Sequence, residues 1–258
     1  MTDQIDPGDL ARVAEALGRA RRLSALTGAG VSAASGIPTF RGADGLWKKV
    51  RAETLATPEA FDNDPRLVWE WYDWRRQMVA TARPNPAHDV LAKWTRVRPG
   101  FTLITQNVDG LHEKAGAERL VRLHGSIWHV RCYQRCAAGR RDWRDDTAPL
   151  PTLPPRCPHC GGIVRPGVVW FGEGLDPEDV ANATAATDCE IFLTIGTSAV
   201  VYPAAGLVHQ AKRRGAFTVE INLEATEASQ VVDVALRGQA AEILMRLDAA
   251  IRANSKMT

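Results

Sequence analysis

Short apolar runs, broken by glycines and small polar residues, set the plan of this chain. From Asp9 to about Arg22, Leu10, Val13, Leu17 and neighbouring alanines recur at helical spacing, with Asp9 as the expected N-cap. Leu23–Leu26 is a strand-like run that ends in Thr27-Gly28-Ala29-Gly30, a glycine turn. A helix is predicted from Pro65 to about Arg83, crowded with Trp69, Trp71, Tyr72 and Trp74, and another over Ala87–Val97. Strands are predicted over Phe101–Thr105, Glu190–Ile195 and Phe217–Ile221, with a further apolar run at Val168–Phe171 and a helical tail over Ala235–Ala253. Strands alternating with helices predict an α/β fold: a doubly wound, Rossmann-like parallel sheet that binds ligands outside the carboxyl ends of its strands. Those ends read Gln106-Asn107-Val108-Asp109-Gly110, Gly196-Thr197-Ser198 and Asn222-Leu223-Glu224.

Four cysteines interrupt this pattern. Cys132 and Cys136 enclose three residues, Cys157 and Cys160 enclose two, and about twenty residues separate the pairs. Each pair can wrap one side of a single tetrahedral zinc, and four thiolates leave no open position, so the site reads as structural. Two disulfides are the alternative. They need an oxidising compartment, and the chain shows no secretory leader. The large sheet therefore carries a small zinc-ribbon and helical module. Cys189 has no evident partner and reads as a small buried residue.

The composition of the 258 residues, 45% hydrophobic and 24% charged, is that of an ordinary soluble protein. A net charge of +2, with both signs mixed along the chain, gives no footprint for nucleic acid or a membrane surface. Ile191–Val208 carries no charge over eighteen positions, but its Gly, Pro, Ser and Thr residues suit strand, loop and helix start better than a span. Asp3, Asp6 and Asp9 argue against a mitochondrial presequence, and the expected location is the cytoplasm.

Gly28-Ala29-Gly30-Val31-Ser32-Ala33 fits G-x-G-x-x-A directly after a strand. Such glycines let backbone N–H groups approach a pyrophosphate, with a helix N-terminus behind them. By itself this is a tight turn as readily as a dinucleotide site. The chain then enters Ser35-Gly36-Ile37-Pro38-Thr39-Phe40-Arg41-Gly42, a loop with an aromatic and a cation, rather than a strand ending in an acid.

Taken together, these segments resemble the sirtuins, the NAD-dependent protein lysine deacylases. The resemblance rests on Gly28–Ser32 with Gly36–Arg41, Thr105-Gln106-Asn107-Val108-Asp109-Gly110-Leu111-His112, Leu123-His124-Gly125, the four cysteines, and Gly196-Thr197-Ser198 with Asn222-Leu223-Glu224. These five motifs come in family order, and the resemblance runs from about residue 20 to 250. The first cysteine pair departs from the pattern, with three intervening residues where two are usual.

The resemblance implies a single catalytic domain over 1–258. Its Rossmann-like part spans about 8–40, 85–125 and 166–255, a helical insertion about 41–84, and a zinc module about 126–165. It also implies the reaction. An acyl-lysine carbonyl displaces nicotinamide from the ribose C1′, and the 2′-hydroxyl attacks the resulting imidate. Free lysine and O-acyl-ADP-ribose follow, with NAD consumed as co-substrate and one Zn2+ as structural ion. His124 is the expected general base, suited by an imidazole's titration near neutral pH. Asn107, also catalytic, and Asp109 would hold ribose and carboxamide. Gly28, Ala29, Gly30, Ser32, Phe40, Arg41, Trp47, Gln106, Gly196, Thr197, Ser198, Asn222, Leu223, Glu224 and Ala240 complete the NAD site. Val169, Trp170, Phe171 and Gly172 would pair with an extended substrate peptide.

Tyr72 and Arg75 lie three apart on one helical face, where an Arg fork and a phenol can bind a carboxylate. They resemble the Tyr-x-x-Arg of sirtuins that remove succinyl and malonyl groups, with Ala52 after Trp47 as the small pocket residue. An amphipathic helix with Arg75 paired to Glu70 or Asp73 is the structural alternative. The expected partners are acylated lysines of proteins, with no nucleic acid or membrane, and the expected state is a monomer. Two other functions fit parts of the pattern: NAD-dependent mono-ADP-ribosylation, and a non-catalytic zinc-ribbon binding protein.

Overall fold

The computed structural model describes residues 5–39, 46–47, 50–137 and 142–254. Its elements begin with α1 (Pro7–Arg19), β1 (Leu23–Thr27) and α2 (Gly30–Ala33). A small hairpin follows, β2 (Leu46–Trp47) and β3 (Val50–Arg51), then α3 (Ala52–Leu55), α4 (Pro58–Asn63), α5 (Pro65–Thr81) and α6 (Pro86–Val97). Next come β4 (Phe101–Thr105), α7 (Leu111–Lys114), β5 (Leu120–Arg122), β6 (Gly125–Cys132), β7 (Trp143–Arg144) and β8 (Val164–Val168). The chain closes with α8 (Pro177–Ala185), β9 (Ile191–Ile195), α9 (Gly206–Arg213), β10 (Phe217–Asn222), β11 (Val234–Arg237) and α10 (Ala240–Asn254).

Six strands form one sheet in the order β11-β10-β9-β1-β4-β5, and every pairing in it is parallel. Both faces are covered, so β1 and β9 bury all five residues each. Alternate residues point to opposite faces. Ala25, Leu103, Leu193 and Ile221 pack with Val13 and Leu17 of α1, Leu91 and Trp94 of α6, and Leu244 and Leu247 of α10. Leu26, Ile104 and Phe192 pack with Ala183 of α8 and Leu207, Val208 and Ala211 of α9. From β1 the chain builds outward through β4 and β5, then returns to the other side of β1 as β9. The strand order therefore reverses between β1 and β9, where ligands bind in such sheets.

The three-stranded antiparallel sheet β7-β6-β8 carries the cysteines. A third apolar cluster joins it to the helical insertion: Phe61 of α4, Val68, Trp69, Trp71 and Tyr72 of α5, Ile127, Val130, Cys132, Cys157, Val164 and Trp170. Arg76, fully buried on α5, donates from Nε to the Ile127 carbonyl at 2.7 Å and ties the helix to β6.

Three sequence expectations are corrected. Asp6, not Asp9, caps α1: its Oδ1 accepts from Gly8 and Asp9 N–H at 2.7 and 3.0 Å, and Pro7 begins the helix. Of the apolar run at Val168–Phe171 only Val168 is in a strand, the last residue of one that starts at Val164; Val169 and Trp170 are irregular and Phe171 begins a turn. The tail is not helical from Ala235: Val234–Arg237 is the sixth strand, broken from α10 by Gly238 at φ +146°. Within the described residues no helix is long and apolar enough to cross a membrane.

Candidate active site

The carboxyl ends of β1 and β9 meet backbone to backbone. The Gly30 amide donates to the Gly196 carbonyl at 2.8 Å. A Cβ on Gly28 would lie 2.8 Å from that same oxygen, and one on Gly196, at φ +59°, would lie 2.6 Å from the Val31 nitrogen. Only glycine fits this approach, so the turn is required by the sheet itself as well as available to a ligand.

Around this cradle the strand ends are cross-linked. Gln106, after β4, donates from Nε2 to Thr197 Oγ1 at 3.0 Å, spanning β1. Asn222, at the end of β10, donates from Nδ2 to the Thr197 carbonyl at 2.8 Å and accepts the Leu223 amide. Asn107 donates from Nδ2 to the Gly28 carbonyl at 3.0 Å and lies 3.3 Å from Ser32 Oγ, which leaves its Oδ1 as an acceptor. Asp109 is buried; its Oδ1 accepts the Leu111 amide at 2.8 Å and its Oδ2 accepts the Ser32 hydroxyl at 2.7 Å. Ser198, Leu223 and Glu224 are exposed on the same edge, and Ala240, half-buried, starts α10 beyond β11. Ala29 precedes α2. Phe40 and Arg41 lie outside the described residues, as do the side chains of Trp47 and Ala52.

His124 stands half-buried at the turn into β6. Its Nδ1 is 3.1 Å from the Gln106 carbonyl, which can only accept, so Nδ1 carries the hydrogen and Nε2 keeps its lone pair. Burial lowers its pKa and the Gln106 carbonyl partly opposes that, so the imidazole is neutral at neutral pH. The His124 carbonyl accepts the Val169 amide at 3.0 Å, which places the Val169–Gly172 turn beside it. The Trp170 amide donates to Glu173 and the Phe171 amide to the Ala56 carbonyl. With these three amides engaged, a peptide along the turn would be held by its carbonyls. Phe171 is 47% exposed, whereas the Trp170 side chain is buried in the module core. Tyr72 and Arg75 are buried too; the Arg75 guanidinium lies 5.0 Å over the Trp71 ring and 5.8 Å from that of Tyr72.

Sequence reading missed the support behind this edge. The Asn85 amide donates to His88 Nδ1 at 3.2 Å, so the remaining His88 hydrogen is on Nε2, 3.4 Å from Ser32 Oγ. A line His88–Ser32–Asp109 results. A few ångströms away His112 Nε2 lies 3.0 Å from Thr27 Oγ1, which bonds Thr105 Oγ1, acceptor of the Asn107 amide. The signal for His88 was its place three residues after the helix-capping Asn85.

Burial, then the neighbouring His88, pushes His112 down to about 3. The unfolded chain takes that proton near pH 6.5, so the stabilising effect of a neutral His112 is complete above about 6.5 and is lost as pH falls toward 3. His88 and His124 are shifted the same way. The urea midpoint should therefore fall from pH 7 to pH 5, with His112 alone contributing about 2 kcal/mol. His112→Gln should have a shallower dependence, and a midpoint that stays flat in the wild type would show that these rings charge inside the fold.

The four cysteine sulfurs lie within 4.8 Å of one another. Cys132 and Cys160 Sγ are 3.6 Å apart, and Cys136 and Cys157 Sγ 3.8 Å. A zinc–sulfur distance of about 2.3 Å gives a tetrahedral edge of about 3.8 Å, so the cage fits one zinc. None of the four is in a disulfide, and the Cys136 backbone amide lowers the Cys132 thiol toward its ligating form. The extra residue of the first pair is taken up by Arg135, which turns back at φ 51° and donates its amide to the Cys132 carbonyl at 3.1 Å.

A glycine cradle at the switch point, a neutral histidine beside it and a structural thiolate cage define an α/β enzyme of the nucleotide-dependent kind. The chain belongs to the Sir2 family, whose model matches residues 28–203. It is 51% identical over 223 residues to the NAD-dependent protein deacylase of Aquifex aeolicus, covering 86% of this chain and 92% of that one. It superposes on a Sir2 homolog solved as its NAD complex with a TM-score of 0.88 at 44% identity, over 94% of each chain. Sir2Af2, solved bound to a myristoylated histone peptide, superposes with a TM-score of 0.77 at 30% identity, over 97% of this chain and 99% of that one.

Proposed function

We propose that this chain is an NAD-dependent protein lysine deacylase that yields nicotinamide and O-acyl-ADP-ribose. The observation that carries the reading is His124: a neutral imidazole with its Nε2 lone pair available, fixed by the Gln106 carbonyl at the edge that bears Asn107 and the glycine cradle. NAD supplies a ribose carbon activated by its nicotinamide leaving group. With NAD bound, His124 Nε2 would take the proton of a ribose hydroxyl and Asn107 Oδ1 would accept a hydrogen bond from the sugar. Asp109 acts through Ser32, holding the hydroxyl in place. The exposed Phe171 floors the entry of the acyl-lysine, and the zinc cage keeps the module's strands in register without touching the reaction.

The reading takes the chain as one catalytic domain divided as its motifs imply, a cytoplasmic monomer acting on protein acyl-lysines rather than nucleic acid or membranes. Its test is stoichiometry. With acylated peptide and NAD, nicotinamide and deacylated lysine should appear one to one. Nicotinamide release without acyl loss would mark an ADP-ribosyltransferase, and neither product a binding module.

The reading extends to succinyl and malonyl as well as acetyl groups. Tyr72 and Arg75 share a buried face of α5, as a carboxylate clamp needs. Burial raises Tyr72 to about 12, so the phenol stays a donor; burial also works against the Arg75 charge, and the nearby Asp109 carboxylate opposes that. On the same helix, Glu70 lies 3.4 Å from Arg66, and Asp73 accepts from Gln77 Nε2 and the Leu150 amide, both at 2.8 Å. A hydrogen bond to a charged group is worth about 1.5–3 kcal/mol, or roughly 10- to 150-fold. Arg75→Met should cut desuccinylation at least about tenfold while acetyl-lysine turnover stays level or rises. A parallel fall of both would make Arg75 structural.

A further inference from the structure

Trp170 sits in the segment that the sequence assigns to a substrate peptide, yet its indole turns inward, 1% exposed. There its Nε1–H donates to Tyr72 Oη at 3.1 Å. The indole is held from several sides. The Arg165 guanidinium lies 3.5 Å over the ring, and Glu173 grips that guanidinium with two bonds of 2.6 and 2.8 Å. Glu173 also accepts the Trp170 amide at 2.8 Å, and the Phe61 ring packs 5.1 Å away.

Hydrogen-bond accounting gives this contact a direction. An indole can only donate, so Tyr72 Oη must be the acceptor and its single hydrogen points elsewhere. Among the described residues no acceptor lies within bonding distance of that hydrogen. The phenol is coplanar with its C–O–H by preference, so a donor seated on one side of the oxygen directs the hydrogen to the other. A phenyl ring at position 170 would leave the hydroxyl free to take either in-plane orientation.

We propose that Trp170 is a positioning residue that sets acyl specificity: its indole N–H orients the Tyr72 hydroxyl as a donor to the carboxylate of a dicarboxylic acyl-lysine held by Arg75. This rests on the acidic-acyl reading above. It joins the two halves of the substrate site, since the segment beside the peptide also tunes the pocket for the acyl group.

The test compares succinyl-lysine with butyryl-lysine, equal in chain length and lacking the carboxylate, at saturating NAD. The measured quantity is the ratio of their kcat/KM values for wild type, Tyr72→Phe, Trp170→Phe and the double variant. Wild type should favour succinyl, and Tyr72→Phe should lower the ratio at least about tenfold. Trp170→Phe should lower it about fivefold, and the double variant should fall no further than Tyr72→Phe alone. Should Trp170→Phe not fold, benzothienylalanine incorporated at position 170, which keeps the fused ring and replaces Nε1–H with sulfur, carries the same comparison. Equal losses on both peptides, or additive effects in the double variant, would overturn the proposal. A wild type indifferent to the carboxylate removes the acidic-acyl reading and this proposal together. A preference that responds to Tyr72→Phe but not to Trp170→Phe overturns this proposal alone.

Discussion

Replacing His124 with alanine is expected to slow deacylation by about 10²–10⁴ while leaving the fold in place, since a positioned general base is worth that much. The turn that carries His124 does not depend on the imidazole. Gly125, at φ +73°, makes the turn, and a Cβ there would lie 2.2 Å from the Gly167 carbonyl. What the variant loses is the Nε2 lone pair. Because burial lowers the His124 pKa, the base form dominates through the neutral range, and the acid limb of the wild-type kcat/KM profile should fall below the usual 6.5. Peptide assays with saturating NAD, together with a thermal midpoint for each protein, check both parts. A folded variant within a few-fold of wild type would remove His124 from the mechanism.

The large sheet was legible because its central strands are buried on both faces. Phe101–Thr105 and Ile191–Ile195 therefore read as apolar runs followed by an amide or a glycine, and Phe217–Asn222 as an alternating strand that ends in an amide. The edge strands were not legible. Leu120–Arg122 has three half-buried residues, and Val234–Arg237 alternates buried with half-buried positions over four, too few to tell a strand from the start of the following helix. The N-cap went wrong by three residues because Asp9 directly precedes the first apolar position, Leu10, whereas Pro7 and Gly8 stand between Asp6 and Asp9; Pro7 at the first helical position was the signal for Asp6.

The candidate site divides in the same way. Residues at strand ends announce themselves by type and place, so Gln106, Asn107, His124, Thr197 and Asn222 were named from sequence and now lie on one edge. The residues behind them were silent because their partners are far apart in the chain. His88 and Ser32 are 56 positions apart, and Trp170 and Tyr72 are 98 apart. Spacing can show which residues share a helix face or a turn, but not which side chain a fold of 258 residues brings against another.

Removing the zinc should be the most damaging change to the small module. Cys157→Ser is expected to bring metal content from one zinc per chain to none, unfold the segment that spans β6 to β8, and depress deacylation without touching the base. Structural zinc in small modules contributes roughly 10–16 kcal/mol, and that binding free energy is folding free energy. The cage is continuous with the module's core, since Cys132 and Cys157 are themselves buried in its apolar cluster, and β7, with two residues, adds little pairing of its own. The damage should reach the substrate side by a definite path. Cys132 pairs with Val164 across β6 and β8, and Arg165, next to Val164, is the residue that holds Trp170 and Glu173. The two clusters that cover the large sheet contain none of the four cage cysteines. Hydrogen exchange should therefore show lost protection across β6–β8 and retained protection in β1, β4 and β9. Metal analysis of the pure wild type giving no zinc, or a mass showing two disulfides, would refute the site. Protection lost evenly from both sheets would show that the module and the large sheet unfold as one unit.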